Sequence, residues 1–224
     1  GRSDEALEAS KIAINLDPEN ANAWANHGGA LNGKSQFEQA LIDFDRAIEL
    51  NPKRSSVWIQ KSITLNNLSR YSEALAAAEK AIDLNHENKK GWDNKGVALF
   101  GLGRIDEALI AFEKAIKLNS KFSIAWNNKG FVLSNLDKYE EALLDFNNAI
   151  ELDSEFAQAW SNKSAVLDRL GYHDDALIAS LKAIELDPKL ALAWANNSLI
   201  LRALDREAEA DAAWAKAREL GYKD

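Results

Sequence analysis

The sequence predicts an all-α solenoid of helix-turn-helix repeats, and three observations carry that prediction. Tryptophan recurs every 34 residues, at Trp24, Trp58, Trp92, Trp126, Trp160 and Trp194. A small residue and a leucine keep step with it, as Gly28, Ser62, Gly96, Gly130, Ser164 and Ser198, and as Leu31, Leu65, Leu99, Leu133, Leu167 and Leu201. Two further columns, starting at Ala40 and Ala47, are alanine in every copy. A period of this length marks a repeat array, in which each unit buries its apolar face only against the next copy.

The elements follow in order. Residues 1–20 read as the second helix of a truncated repeat: Ala6, Leu7, Ala13, Ile14 and Leu16 repeat the second-helix columns and Pro18 closes them. This pattern suggests an array cut from something longer at its N-terminus. Six repeats come next, at 21–54, 55–88, 89–122, 123–156, 157–190 and 191–224, giving a single array over 1–224. Within each repeat, Trp at column 4, the small residue at column 8 and Leu at column 11 lie three and four residues apart, on one helical stripe. Ala at columns 20 and 27, with Leu at 21 and Ile at 28, marks a second stripe. Turn segments such as Leu102-Gly103-Arg104 and Leu170-Gly171-Tyr172 separate the two.

The second stripe opens on acids, Asp106-Glu107, Glu140-Glu141 and Asp174-Asp175. At a helix start they complement the macrodipole, by about 0.3 to 1 kcal/mol each, and this accounts for them without acid/base chemistry. In the last repeat columns 21 and 28 turn into Asp211 and Arg218. The repeat is therefore expected to act as a C-terminal cap whose final helix, over 205–220, faces water.

Composition agrees. Hydrophobic residues make up 46% and charged residues 28%, with only 3 Pro and 11 Gly, which suits a helical chain with a continuous core. The net charge of −8 opposes phosphate backbones and anionic lipid, so neither nucleic acid nor membrane is an expected partner. No apolar run approaches the roughly 18 residues needed to span a bilayer. The chain has no cysteine, which removes disulfides and thiolate chemistry and suits either side of a membrane. Its first residues do not resemble a secretion signal, and the cytoplasm is the expected compartment.

These columns resemble the tetratricopeptide repeat, whose pattern of W-x2-L-G-x2-Y, then A-x3-F, then A and P, runs the length of the chain. Phe44, Phe112 and Phe146 occupy the family's aromatic place in the second helix, while Ala78, Ser180 and Trp214 depart from it. The terminal proline survives as Pro52 and Pro188. The family's Tyr is Leu in every repeat, and its Leu at column 7 has become His27, Lys61, Lys95, Lys129, Lys163 and Asn197. The lysine stems are expected to pack on Trp, with their ammonium groups reaching outward or meeting an acid of the next repeat. The resemblance implies helical hairpins wound into a right-handed superhelical solenoid and a non-catalytic module for protein–protein interaction.

No catalytic constellation is present, so the chain does not read as an enzyme and calls for no cofactor. His27, His86 and His173 lie in different repeats, which gives a metal site no support. A set of Ser180, His173 and Asp174 lacks any oxyanion loop or nucleophile elbow.

Column 6, which holds Asn26, Gln60, Asn94, Asn128, Asn162 and Asn196, resists a core explanation, because asparagine is a mediocre helix former and yet returns in five of the six repeats. In the resembled family this place borders the concave groove. The column is similar to the asparagine ladder in the repeat arm of O-linked N-acetylglucosamine transferase, where such side chains hold an extended peptide backbone. An amide offers a donor and an acceptor together and so matches one peptide unit. The amides are expected to be accessible along one face; the alternative is that they brace adjacent repeats. Neighbouring groove columns place Ile59, Ile63, Val97, Phe100, Ile124 and Phe131 as an apolar cluster, with Phe100 and Phe131 expected at its centre. Column 5, from Ala25 to Ala195, lacks the basic residues of a carboxylate clamp for chaperone tails.

The resulting expectation is a module that binds an extended segment of a protein or peptide partner in its groove. The rivals are a structural or self-associating scaffold, or the substrate-recruiting arm of a larger enzyme. The open apolar side of the orphan first helix makes self-association there a further expectation.

Overall fold

The computed structural model describes residues 2–223, and these form thirteen helices with no strand among the described residues. An orphan α1 (Arg2–Leu16) precedes six hairpins. They are α2 (Ala21–Asn32) with α3 (Phe37–Leu50), α4 (Ser55–Asn67) with α5 (Tyr71–Leu84), α6 (Lys89–Gly101) with α7 (Ile105–Leu118), α8 (Ser123–Asn135) with α9 (Tyr139–Leu152), α10 (Ala157–Arg169) with α11 (His173–Leu186), and α12 (Ala191–Ala203) with α13 (Glu207–Glu219). The predicted all-α repeat solenoid is what the chain forms. It divides into two compact units, one ending at Asn119 and one beginning at Ser120.

Each hairpin closes on its small columns. The alanines at columns 20 and 27 are buried in all six, Ala40 and Ala47 among them at 0% exposure, because the first helix lies directly on them. Column 8 faces column 24 across the hairpin, and in the first five repeats the two are matched in size, while the sixth pairs Ser198 with the half-buried Trp214. A Cβ added at Gly28, Gly96 or Gly130 would come within 2.8, 2.6 and 2.9 Å of the rings of Phe44, Phe112 and Phe146 respectively. Where the ring is absent, serine replaces glycine: Ser62 stands opposite Ala78 and Ser164 opposite Ser180. The freed space holds a hydroxyl, which is buried and bonded to the backbone, Ser62 Oγ to Ala74 O at 2.9 Å and Ser164 Oγ to Ser161 O at 2.7 Å.

The tryptophan column does more than fill space. Each indole N–H donates to the backbone carbonyl six residues earlier: Trp24 to Pro18, Trp58 to Pro52, Trp92 to His86, Trp126 to Ser120, Trp160 to Ser154 and Trp194 to Pro188, at 2.8 to 3.0 Å. One ring thus packs into the hairpin and ties down the loop that enters it.

The turn within each hairpin requires one residue in the left-handed region. Gly103 and Gly171 adopt φ of +74° and +81°, and Ser35, Ser69, Asp137 and Asp205 take the same place at 57° to 60°. At the loop before α2, Asn20 accepts from the amides of Asn22 and Ala23, and Asn88 does the same for Lys90 before α6.

In the first unit α1 packs against α2, with Leu7 joining the core of Leu31, Ala40, Phe44, Ala47 and Val57. Ile12 and Leu16 of α1 remain open to solvent, Leu16 at 82%. At the other end Asp211 and Arg218 are exposed on α13, and Asp211 accepts from Arg202 at 3.2 Å.

Candidate functional site

The first helices of each unit carry the residues that the sequence singled out, and the structure treats them unequally. Asn26 and Gln60 are exposed in the first unit. Both line a cleft of about 590 Å³ between α1 and the first helices α2 and α4, walled by Ala6, Ser10, Ala25 and Gly29. Asn128, in the second unit, is half-buried, and its Oδ1 accepts from the Asn127 amide at 3.4 Å.

The expected run of accessible amides is corrected at Asn94, Asn162 and Asn196, which are only 7 to 9% exposed and bonded within the protein. Asn162 Nδ2 donates to Asn127 Oδ1 at 2.9 Å, and Asn162 Oδ1 accepts from Gln158 at 3.2 Å. Asn196 Nδ2 donates to Ser161 O at 3.0 Å and lies 3.1 Å from Ser161 Oγ. Asn94 Nδ2 turns back to Lys90 O in its own helix at 2.8 Å.

Column 5 of the preceding repeat decides these outcomes. Asn127 and Ser161 offer Asn162 and Asn196 a polar partner on the neighbouring first helix. Ile59 offers Asn94 none, and Ala25 offers Gln60 none. A buried amide must bond somewhere, so Asn94 bonds to its own backbone, whereas the longer Gln60 stays in water.

The apolar cluster divides as well. In the first unit Ile59 is buried, while Ile63, Val97 and Phe100 are half-buried. In the second unit Ile124 and Phe131 are exposed, Phe131 at 42%. Phe131 borders a cleft of about 360 Å³ with Asn135, Tyr139 and Arg169. A neighbouring cleft of about 290 Å³ is lined by Asp168, Arg169, Asn196 and Leu199. Arg169 and Ala165 belong to both, so Phe131 and Leu199 flank one cation on the first-helix face. Leu199 is 52% exposed and was not singled out by sequence reasoning, although it shares column 9 with Phe131.

Among the described residues no group of three His, Asp or Glu side chains is placed to hold a metal ion. Ser180 is buried, donating to Leu177 O and accepting from Asn197, and His173 bonds instead to Asp168 at 2.8 Å. His27 meets the buried Asp43 at 2.5 Å, and desolvation raises the Asp43 carboxyl above its ordinary value, with the His27 bond and charge opposing the rise. The column 7 lysines reach their tryptophans, with Nζ 5.2 to 5.7 Å from the ring centres at Lys61, Lys95, Lys129 and Lys163. The expected acid of the next repeat is corrected: Lys61 and Lys95 pair with acids of the preceding repeat and Lys129 with one of its own, because those second helices lie nearer the ammonium.

Models of the tetratricopeptide repeat match residues 1–55, 55–88, 89–122, 123–156 and 157–190. No curated protein matches the chain. Among solved structures, the chain is similar to one in the crystal structure of the APC/C hetero-tetramer Cut9-Hcn1, with a TM-score of 0.88 at 18% identity. That match covers 99% of this chain, which spans 44% of the length of the other. It is also similar to YrrB, described as a TPR protein with an unusual peptide-binding site, with a TM-score of 0.55, 28% identity and coverage of 84% and 97% of the two chains. MamA gives a TM-score of 0.59 at 22% identity, covering 71% and 93%.

Proposed function

The chain belongs to the tetratricopeptide repeat family, whose models together match residues 1–190, and from that premise we propose that it is a non-catalytic module holding an extended segment of a partner protein on its first-helix face. Proteins of this repeat type are generally interaction modules that bind proteins or peptides. The observation that carries the proposal is the exposure of Phe131 and Leu199 on either side of Arg169. Other large apolar side chains are exposed singly, but these two stand beside clefts that share one cation, an arrangement suited to side chains of a bound segment. The rings and stems would take alternate side chains of the segment, and Arg169 would take a backbone carbonyl or an acid. In the first unit the accessible amides Asn26 and Gln60 would pair with peptide backbone, each bond adding about 0.5 to 1.5 kcal/mol net.

The reading is tested by selecting binders from a random peptide display library and measuring them against variants. Phe131→Ala and Leu199→Ala should each weaken the selected peptides by about 2 kcal/mol, while Ile110→Ala on a second helix should not. Peptides insensitive to both changes would show that the partner binds elsewhere.

A second reading, self-association through α1, rests on the exposure of Ile12 and Leu16. Sedimentation across a concentration series distinguishes it: an increase in mass with concentration that Leu16→Glu abolishes supports it, and a constant monomer mass removes it.

A further inference from the structure

The column 7 lysines are treated differently along the chain, and the difference opens a site on the side formed by the second helices. Lys61 pairs with Asp45 at 2.5 Å and Lys95 with Glu79 at 2.8 Å, each acid standing at column 25 of the preceding second helix. Lys129 pairs within its own hairpin with the buried Asp145, at 3.3 Å and column 23. For Lys163 both places are empty of acid. Column 25 of the preceding helix is Asn147, and column 23 of its own hairpin is Ala179. Lys163 is half-buried over Trp160, 5.2 Å from the ring centre, and among the described residues it forms no salt bridge, although the charge of Asp175 acts on it. Burial holds its ammonium below the ordinary lysine range, the charge of Asp175 opposing that shift only in part.

The space that an acid would occupy is open. A cleft of about 460 Å³ lies there between α9 and α11, floored by Trp160 and Leu167 of α10. Leu143 and Ile178 form its apolar walls, with Asn147 and Asp175 on its rims. Beside it Leu144, Ile178 and Leu181 are exposed on the same two helices, at 64%, 66% and 52%.

We propose that this cleft is a second docking site, which receives a single carboxylate flanked by aliphatic side chains from a partner protein, the acid taking the place that Asp45 and Glu79 fill beside Lys61 and Lys95. Lys163 supplies the charge, and the Asn147 amide supplies N–H donors that an acid at that column lacks. Asp175 repels a second negative charge, so an acidic run does not fit. Leu143, Leu167 and Ile178 cover the aliphatic neighbours. The site is separate from the first-helix face, and either can fail without the other.

The probe is the blocked tripeptide acetyl-Leu-Glu-Leu-amide, followed through the Trp160 indole N–H signal by two-dimensional NMR, the signal being assigned with Trp160→Phe. The Glu peptide should shift that signal in the millimolar range and bind about tenfold more tightly than acetyl-Leu-Gln-Leu-amide, because only the acid forms a charge-assisted bond. A triglutamate peptide should bind more weakly than the Leu-Glu-Leu probe. Lys163→Met should abolish the preference for Glu over Gln. Asn147→Asp should supply the missing acid from within the chain, raise the melting temperature and abolish probe binding, so that loss of binding is not confused with unfolding. The same shifts should persist in Phe131→Ala. Equal binding of the Glu and Gln peptides, unchanged binding in Asn147→Asp, or no Trp160 shift at millimolar probe would each overturn the proposal.

Discussion

Asn162 donates its side-chain amide to Asn127 Oδ1 across 2.9 Å, joining the first helices of two successive repeats through a bond that is buried. The two residues occupy adjacent columns, 6 and 5, so the bond is available only where column 5 carries a polar atom. Asn127→Ala should leave a buried donor without its acceptor and destabilise the chain by about 1 to 3 kcal/mol. Asn26→Ala, whose amide lies in water, should cost less than about 0.5 kcal/mol. Urea denaturation of the two variants checks the contrast. Equal losses would show that column 6 contributes stability by some route other than this bond.

The size match between columns 8 and 24 predicts a coupling. Gly96→Ala sets a methyl 2.6 Å from the Phe112 ring, which should cost about 1 to 3 kcal/mol through overpacking. Phe112→Ala alone should cost about 3 to 5 kcal/mol, because the ring is buried. Together the changes reproduce the small pairs already present at Ser62 with Ala78, so the double variant should lose clearly less than the sum. Strict additivity in a double-mutant cycle would show that the glycine is not there to admit the ring.

The left-handed turn residue predicts opposite signs at two sites. Ser35 adopts φ of 60° and is exposed, so Ser35→Gly should relieve backbone strain and raise stability by about 0.5 to 1 kcal/mol. Gly103→Ala at φ +74° should lower it by about 1 kcal/mol, although a Cβ there meets nothing within 4 Å. Thermal melting of both variants is the measurement, and shifts of the same sign would refute the backbone argument.

Lys163 predicts a pH dependence. Burial lowers its folded pKa below that of the unfolded chain, so between the two values the unfolded chain binds more protons and stability rises with pH. Below that window the whole penalty applies. Lys163→Met should therefore melt above the native chain at pH 7, and its lead should shrink as pH climbs toward the ordinary lysine value. A lead that does not change with pH would attribute the gain to packing alone.

The sequence by itself determined the repeat length, the hairpins and the identity of the core columns. Tryptophan, alanine and leucine return every 34 residues, and helical periodicity then leaves one way to bury them. The tertiary structure decided what column 6 does. Asn26 and Asn162 are the same residue in the same column, yet one faces a cleft and the other is locked to Asn127, because a side chain's fate depends on the atom opposite it on the next helix. The same reason separates Lys163 from Lys61 and brings Leu199 and Phe131 to one cation. Periodicity fixes which face a residue occupies, whereas hydrogen bonds and ion pairs are settled within a few ångströms by neighbours 16 or 35 residues away in the chain.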